Sequence, residues 1–243
     1  MNLRSLADWH NPGSLGNRLR NRRFELLERV LSPLPRPVRI LDIGGTVAYW
    51  EMRGCAGRGE YQITLVNLTA SSSSYSNIRA EVGDATWLHQ YPDHSFDVAF
   101  SNSVIEHVGQ LDAQRKMADE VRRVALGYWV QTPNYWFPIE PHFLFPGWQW
   151  LPVEARVALI QRRAFGWNGR CSDRAMARRV VGNANLLSRR ELRALFPDAL
   201  LVPERFCGMV KSWIAIGGSL CKNVSARNKR GACEPALMRC CET

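Results

Sequence analysis

Apolar positions along the chain follow two rhythms. Between Ser14 and Leu34, the residues Leu15, Leu19, Phe24, Leu27, Val30 and Leu31 recur near helical spacing, and Pro33 and Pro35 stop the pattern, so an amphipathic helix is expected. From Val38 onward apolar residues gather in short runs instead, at 38–43, 61–68, 78–82, 96–101 and 128–132. Such runs, rich in β-branched and aromatic residues and bounded by glycine, serine or proline, are what strands buried on both faces look like. Helices are expected between them at 46–53 and 110–126, with the serine run 71–74 left to a loop and the fifth strand broken at Pro133. Strands alternating with helices predict a parallel sheet covered on both faces.

The pattern changes toward the end of the chain. Ser188 and Glu191 form a capping box that opens a helix to Phe196, followed by apolar runs 199–206 and 210–216 joined only by Cys207-Gly208-Met209. So short a link cannot make a parallel crossover, so these two strands must pair antiparallel. The expected fold class is α/β: a doubly wound, seven-stranded sheet, mostly parallel, with a C-terminal antiparallel hairpin and helices on both faces. Residues 1–35 read as an N-terminal helical segment and 36–220 as the main domain. Within that domain, 135–185 read as an insertion that begins with Tyr135, Trp136, Phe137, Phe143, Phe145, Trp148 and Trp150 and continues with many arginines. Residues 221–243 are polar, basic and aperiodic, and disorder is expected for them.

Composition narrows the class. The chain has 243 residues, 46% of them hydrophobic, enough for one substantial core. No uncharged apolar run reaches about 18 residues, and the arginine-rich start lacks the apolar stretch of a signal peptide, so a cytoplasmic protein is expected. Seven cysteines show no C-x-x-C spacing, which favours reduced thiols and no metal site. A net charge of +10 suits phosphates or an anionic membrane surface, and peripheral membrane contact is one expectation. No nucleic-acid-binding motif is present, and nucleic acid is not an expected partner.

In open α/β sheets ligands bind beyond the carboxyl ends of the strands, which selects a few positions. After the first strand, Asp42, Gly44, Gly45 and Thr46 form a tight turn in which glycine lets the backbone approach a ligand and Asp42 can either hold the turn or accept from an ammonium group. Asn67 and Leu68 follow the second strand, where Asn67 could meet ribose hydroxyls or cap its own loop. Asp84 and Ala85 follow the third, where Asp84 could receive an exocyclic amine or remain solvated. Asn102 and Ser103 follow the fourth, and Glu106 and His107 begin the next helix, as ligand contacts or as a cap and a packing histidine.

The ordered set Leu41-Asp42-Ile43-Gly44-Gly45-Thr46, Gly83-Asp84-Ala85, Phe96 to Val108 and the final hairpin resembles the class I S-adenosylmethionine-dependent methyltransferases of the type 11-like family, over residues 36–134 and 188–218. The resemblance implies a Rossmann-like fold and S-adenosyl-L-methionine as cofactor. It also implies that Asp42, Gly44 and Gly45 line the methionine part, Asn67 the ribose, Asp84 and Ala85 the adenine, and Asn102 and Ser103 the methionyl side. The chain departs from the family pattern at Thr46 and Ala48, where later glycines are usual, and at Asn67, where an acidic residue is usual.

The acceptor is sought farther along. In Asn134-Tyr135-Trp136-Phe137-Pro138-Ile139-Glu140-Pro141-His142, two prolines favour an extended backbone, whose pleat would turn Glu140 and His142 to the same side. A histidine titrates near neutral pH and a carboxylate can orient it, so the pair is the candidate general base, with Glu106, His107, Asn134 and Trp136 as candidate acceptor contacts; the rival role for the pair is to pin the loop. A methyltransferase acting on a small-molecule or lipid- or saccharide-linked acceptor is the expected function. A binding module with a decayed cofactor pocket is the alternative, and a nicotinamide oxidoreductase is disfavoured because G-x-G-x-x-G is missing.

Overall fold

The computed structural model describes residues 14–228. The first helix, α1 (Leu15–Leu31), is capped by the Ser14 hydroxyl on the Asn17 N–H at 3.0 Å. Then follow β1 (Val38–Ile43), the short α2 (Val47–Met52), β2 (Tyr61–Asn67), β3 (Ile78–Val82), β4 (Phe96–Asn102), a 3₁₀ turn at Ile105–His107, and α3 (Leu111–Val124). The fifth strand, β5 (Ala125–Pro133), leads into the insertion, which holds the small hairpin β6 (Ile139–Glu140) and β7 (Phe145–Pro146) and the helices α4 (Val153–Arg162) and α5 (Arg174–Val181). The chain returns through α6 (Arg189–Leu195), β8 (Leu200–Phe206), β9 (Met209–Gly218) and α7 (Leu220–Asn228).

The seven-stranded sheet has the order β3-β2-β1-β4-β5-β9-β8, with the first five strands parallel and β9 antiparallel to both neighbours. In the hairpin linking β8 to β9, Cys207 and Gly208 have φ of 48° and 77°. Two successive left-handed residues make the primed turn whose twist matches that of paired strands. One face of the sheet buries Leu41, Ile43, Met117, Val121, Tyr128, Leu192 and Phe196 beneath α3 and α6, and the other buries Leu27, Leu31, Ile40, Trp50, Phe100 and Trp129 beneath α1 and α2. The insertion has its own small core around Phe143, Trp148, Val157, Ile160 and Phe165. Most of its aromatic residues are therefore spent on packing.

Three expectations are revised. Helix α3 stops at Val124 rather than Leu126, because Ala125 and the residues after it pair with β4 from Phe96 onward and win the competition with helix propensity. Strand β5 runs through Pro133, which pairs with Ser212 of β9; β4 has already ended at the level of Gln131, so no partner there calls for the missing N–H. Residues 221–228, expected to be disordered, continue the helix begun at Leu220, which is fully buried, and Asn223 Nδ2 donates to the Val30 carbonyl of α1 at 3.0 Å. Among the described residues no helix is long and apolar enough to cross a membrane.

Candidate functional site

The turn after β1 is built from beneath. Asp42 is 1% exposed, accepts from the Trp50 indole N–H at 2.7 Å, and lies so close under the turn that a Cβ on Gly45 would fall 1.8 Å from its Oδ2. Gly44, at φ 78°, donates its N–H to Val66 and leaves room only for Val104, whose methyl would stand 2.5 Å from an added Cβ. Asp42 thus lies directly beneath the turn and is tied to the helix that follows it through Trp50. Burial pushes its carboxyl up to about 7, against the lowering effect of the Trp50 hydrogen bond. The protonated form is therefore favoured in the fold, and the stability tied to it is complete below the unfolded-state value and lost as pH rises toward 7. Asp42→Asn keeps an acceptor for Trp50 without the ionisation, so its melting temperature should fall less than that of the wild type between pH 5 and 8; parallel curves would contradict this.

Thr46 caps α2 through Tyr49 N–H at 3.3 Å, which gives this position a helix-capping role where the family pattern has glycine. Asn67 Nδ2 donates to the Gly45 carbonyl at 2.9 Å and ties the ends of β1 and β2 together. Next to it Leu68 is 75% exposed, and Val82 at the end of β3 and Trp87 just beyond it are 58% and 66% exposed. Together they leave apolar surface bare at this corner. Asp84 is exposed and holds a local turn by accepting from the Thr86 N–H and hydroxyl, both at 2.8 Å, while Ala85 packs on the core.

A residue that sequence reasoning missed stands at the end of β4. Arg23 of α1 is 7% exposed and donates to Asn102 Oδ1 at 2.5 Å, Gln131 Oε1 at 2.9 Å and Glu204 Oε1 at 2.8 Å. Burial pushes the Glu204 carboxyl up, yet the charge and hydrogen bond of Arg23, with Lys211 and Ser212, hold it below its ordinary value, and Lys211 falls to about 8 mainly through burial. The signal was present: Arg20 and Arg23 share the helical stripe of Leu27, Val30 and Leu31, where a charge is out of place unless it has a buried partner. Ser103, at φ 59°, completes this corner by donating its hydroxyl to Gln131 Oε1 at 2.8 Å.

Glu106, His107, Glu140 and His142 meet beyond β4 and β5. Glu106 is fully buried and accepts through Oε2 from the Thr132 hydroxyl at 3.0 Å; its Oε1 is buried without a partner. Glu140, 3% exposed, uses Oε1 to accept from His142 Nδ1 at 2.6 Å and Oε2 to accept from the backbone N–H groups of His142 and Phe143 at 2.8 and 2.7 Å. The two residues thus converge through a tight turn closed by the Leu144 N–H on the Glu140 carbonyl, at 2.8 Å, rather than through the pleat of an extended segment. His142 is held from the other side by the Trp167 N–H and Asn168 Nδ2 on its carbonyl. Burial lowers the His142 pKa, but the Glu140 hydrogen bond and charge, with Glu106, outweigh it and leave the ring more basic than usual. His107 Nδ1 meets the Asn183 carbonyl at 2.8 Å, and its Nε2 stands 3.1 Å from His142 Nε2.

The other two expected acceptor contacts lie apart from this cluster. Asn134 is 8% exposed and spends its amide on the Val210 carbonyl and the Trp136 N–H, so it joins β5 to β9. Trp136 is 64% exposed beside Trp150. A cavity of about 220 Å³ adjoins Glu140 on its far side, lined among others by Tyr135, Phe143, Trp148, Gln149 and Arg156. Burial lowers the Arg156 pKa, and its Nε has no partner. On the insertion surface Arg174 and Arg178 both pair with Glu154, so part of the basic strip is already neutralised.

Comparison with known proteins places this architecture. A 51-residue stretch is 43% identical to an uncharacterized protein of Mycobacterium tuberculosis, spanning 21% of this chain and 17% of that one. A solved putative zinc-dependent alcohol dehydrogenase from Rhodobacter sphaeroides superposes with a TM-score of 0.51 at 7% identity, over 79% of this chain and 88% of that one, a likeness of fold alone. An S-adenosylmethionine-dependent methyltransferase from Aquifex aeolicus superposes at 0.45 with 11% identity, over 79% and 87% of the two chains. Residues 41–126, from β1 into β5, match the family model described as a methyltransferase domain. That match covers about a third of the chain, the part that carries the turn after β1 and the ends of β2, β3 and β4.

Proposed function

We propose that the protein transfers a methyl group from S-adenosylmethionine to a hydroxyl group of a small acidic acceptor, which is activated at the cluster of Glu106, His107 and His142. The observation that carries this reading is the Glu140–His142 pair, a carboxylate-oriented imidazole facing a second imidazole beyond the carboxyl ends of β4 and β5. When bound, the cofactor supplies a methyl carbon on a sulfonium, which is open to in-line displacement, so the chain must chiefly align the acceptor and remove its proton.

The residues at the carboxyl edge suit that cofactor. The bare apolar corner of Leu68, Val82 and Trp87, beside Asp84 and Ala85, suits an adenine ring, and the Asn67 amide beside Gly45 suits a ribose. Asn102 and Ser103, fixed by Arg23 and Gln131, stand on the methionyl side, and Thr46 and Gly44 shape the turn that Asp42 supports. Gly44 packs on Val104, two residues before Glu106, so the cofactor turn and the acceptor cluster share one wall. An acidic acceptor is favoured because the cavity beside Glu140 holds Arg156, a half-buried cation whose Nε is unpaired.

Calorimetric titration with S-adenosylmethionine and S-adenosylhomocysteine is the first test, with saturation expected below about 1 mM, the usual upper range for such sites. No binding at that concentration would favour a partner-binding module whose cofactor pocket has decayed. Incubation with methyl-labelled cofactor and cell extract, followed by mass identification of the labelled product, should then return an acidic hydroxy compound. Label on nitrogen or carbon would overturn the hydroxyl assignment.

A further inference from the structure

We propose that Glu106, His107 and His142 bind one divalent first-row transition cation. The argument starts from which ring nitrogens carry protons. His142 Nδ1 faces a carboxylate oxygen of Glu140 at 2.6 Å, and His107 Nδ1 faces the Asn183 carbonyl at 2.8 Å. Both partners are acceptors only, so each Nδ1 must be the N–H, and in a neutral imidazole the Nε2 is then a bare lone pair. The two Nε2 atoms stand 3.1 Å apart on rings set edge to face. Glu106 adds a third acceptor: its Oε1 is buried without a partner, and one of its carboxylate oxygens lies within 4.8 Å of a ring nitrogen of each histidine. Three acceptors drawn together in this way suit a cation at their centre, which answers all three at once and would displace the protons that burial favours on Glu106 and that Glu140 favours on His142. A single proton shared by the two rings relieves only one of the three contacts and leaves the Glu106 oxygen unsatisfied.

The spacing of the two imidazoles suits a metal ion, and within the 4.8 Å spanned by the whole group the carboxylate oxygen would close in by up to about half an ångström to join them. With metal–nitrogen bonds of about 2.0–2.1 Å, nitrogens separated by the 3.1 Å seen here subtend an angle near 100°, close to that between adjacent ligands in six- or four-coordinate geometry. Two imidazoles and one carboxylate are the donors preferred by first-row transition ions over calcium. The outer contacts fit as well, because ligating histidines characteristically donate their other N–H to a carboxylate or a backbone carbonyl, as Glu140 and Asn183 allow. His107 is exposed, which gives the ion an entry path and leaves coordination positions open on the solvent side. If the methyltransferase reading above holds, those positions are where an acceptor hydroxyl would lodge and lose its proton to solvent.

The test uses the full chain, stripped with a chelator and dialysed, then titrated with Co²⁺ alone. Binding is read by ligand-field absorption and calorimetry, with metal content measured by plasma emission. One ion per chain is expected, with nitrogen and oxygen but no thiolate bands. His107→Ala and His142→Ala should each abolish stoichiometric binding, and Glu140→Gln, which keeps all three ligands, should weaken it roughly 10–100-fold. Circular dichroism and S-adenosylmethionine affinity check that the variants fold. Absence of binding, thiolate bands that assign the ion to cysteines, or binding indifferent to both histidines would overturn the proposal. Stoichiometric cobalt on a chain that methylates nothing would uphold the metal site while sinking the functional reading. Methyl transfer undiminished in a chain shown to bind no metal would do the reverse.

Discussion

His142→Ala is expected to lower kcat by about 10²–10⁴-fold, the usual span for loss of a group that assists proton removal from the acceptor, whether as base or as ligand to an activating cation, while leaving the affinity for S-adenosylmethionine unchanged. The separation follows from geometry. His142 is carried by the β6–β7 turn and held by hydrogen bonds with Glu140, Trp167 and Asn168, a set separate from the hydrogen bonds of the turn after β1 and of Arg23. Glu140→Gln should lower kcat less than His142→Ala, because glutamine still accepts from His142 Nδ1 but cannot favour the charged ring. Isothermal calorimetry and single-turnover assays separate the two effects. Equal loss of cofactor affinity in His142→Ala would place the histidine on the cofactor and move the acceptor site elsewhere.

Arg23→Met should destabilise the fold by about 3–5 kcal/mol, the cost of removing one partner from a buried ion pair. Methionine retains much of the volume, so the loss reflects the abandoned partners: Glu204, Asn102 and Gln131 each accept a hydrogen bond from this one guanidinium. Denaturant unfolding of Arg23→Met, Glu204→Gln and the double variant would measure the coupling, and the double variant should be less damaged than the sum of the singles. Additive losses would show that Lys211 alone balances Glu204. Because Asn102 loses its anchor in the same substitution, weaker cofactor binding should accompany the loss of stability.

The sheet was legible because a central parallel strand must be apolar on both faces, and that constraint is written locally in runs such as Val38–Ile43 and Phe96–Asn102, whereas the edge strand Ile78–Val82 buries only Ile78. The capping box at Ser188 and Glu191 was equally local, and it formed as read. Ser103 and Asn102 were placed correctly at a strand end, but their partners Gln131 and Arg23 lie 28 and 79 positions away, and no local pattern pairs them. The nearness of Glu140 and His142 was foreseen for a different reason from the one that operates: the carboxylate caps the turn, a choice that depends on the Phe165–Asn168 segment behind it. His107 was expected at the same acceptor site, but its direct meeting with His142 was not legible, since 35 residues separate the two and the insertion must fold before they meet.

The two groups that fix the imidazoles come from opposite ends of the insertion, Glu140 near its start and Asn183 near its finish. The segment from β6 to the end of α5 is thus a loop whose two feet stand on the same spot. Unfolding of that loop as a unit pulls both histidine partners away at once, so the chain cannot keep the histidine cluster assembled beside an unravelled insertion. Amide exchange in α4 and α5 should therefore slow whenever something draws the two rings together, and protection of a segment far from the cofactor turn becomes a gauge of occupancy at the acceptor cluster.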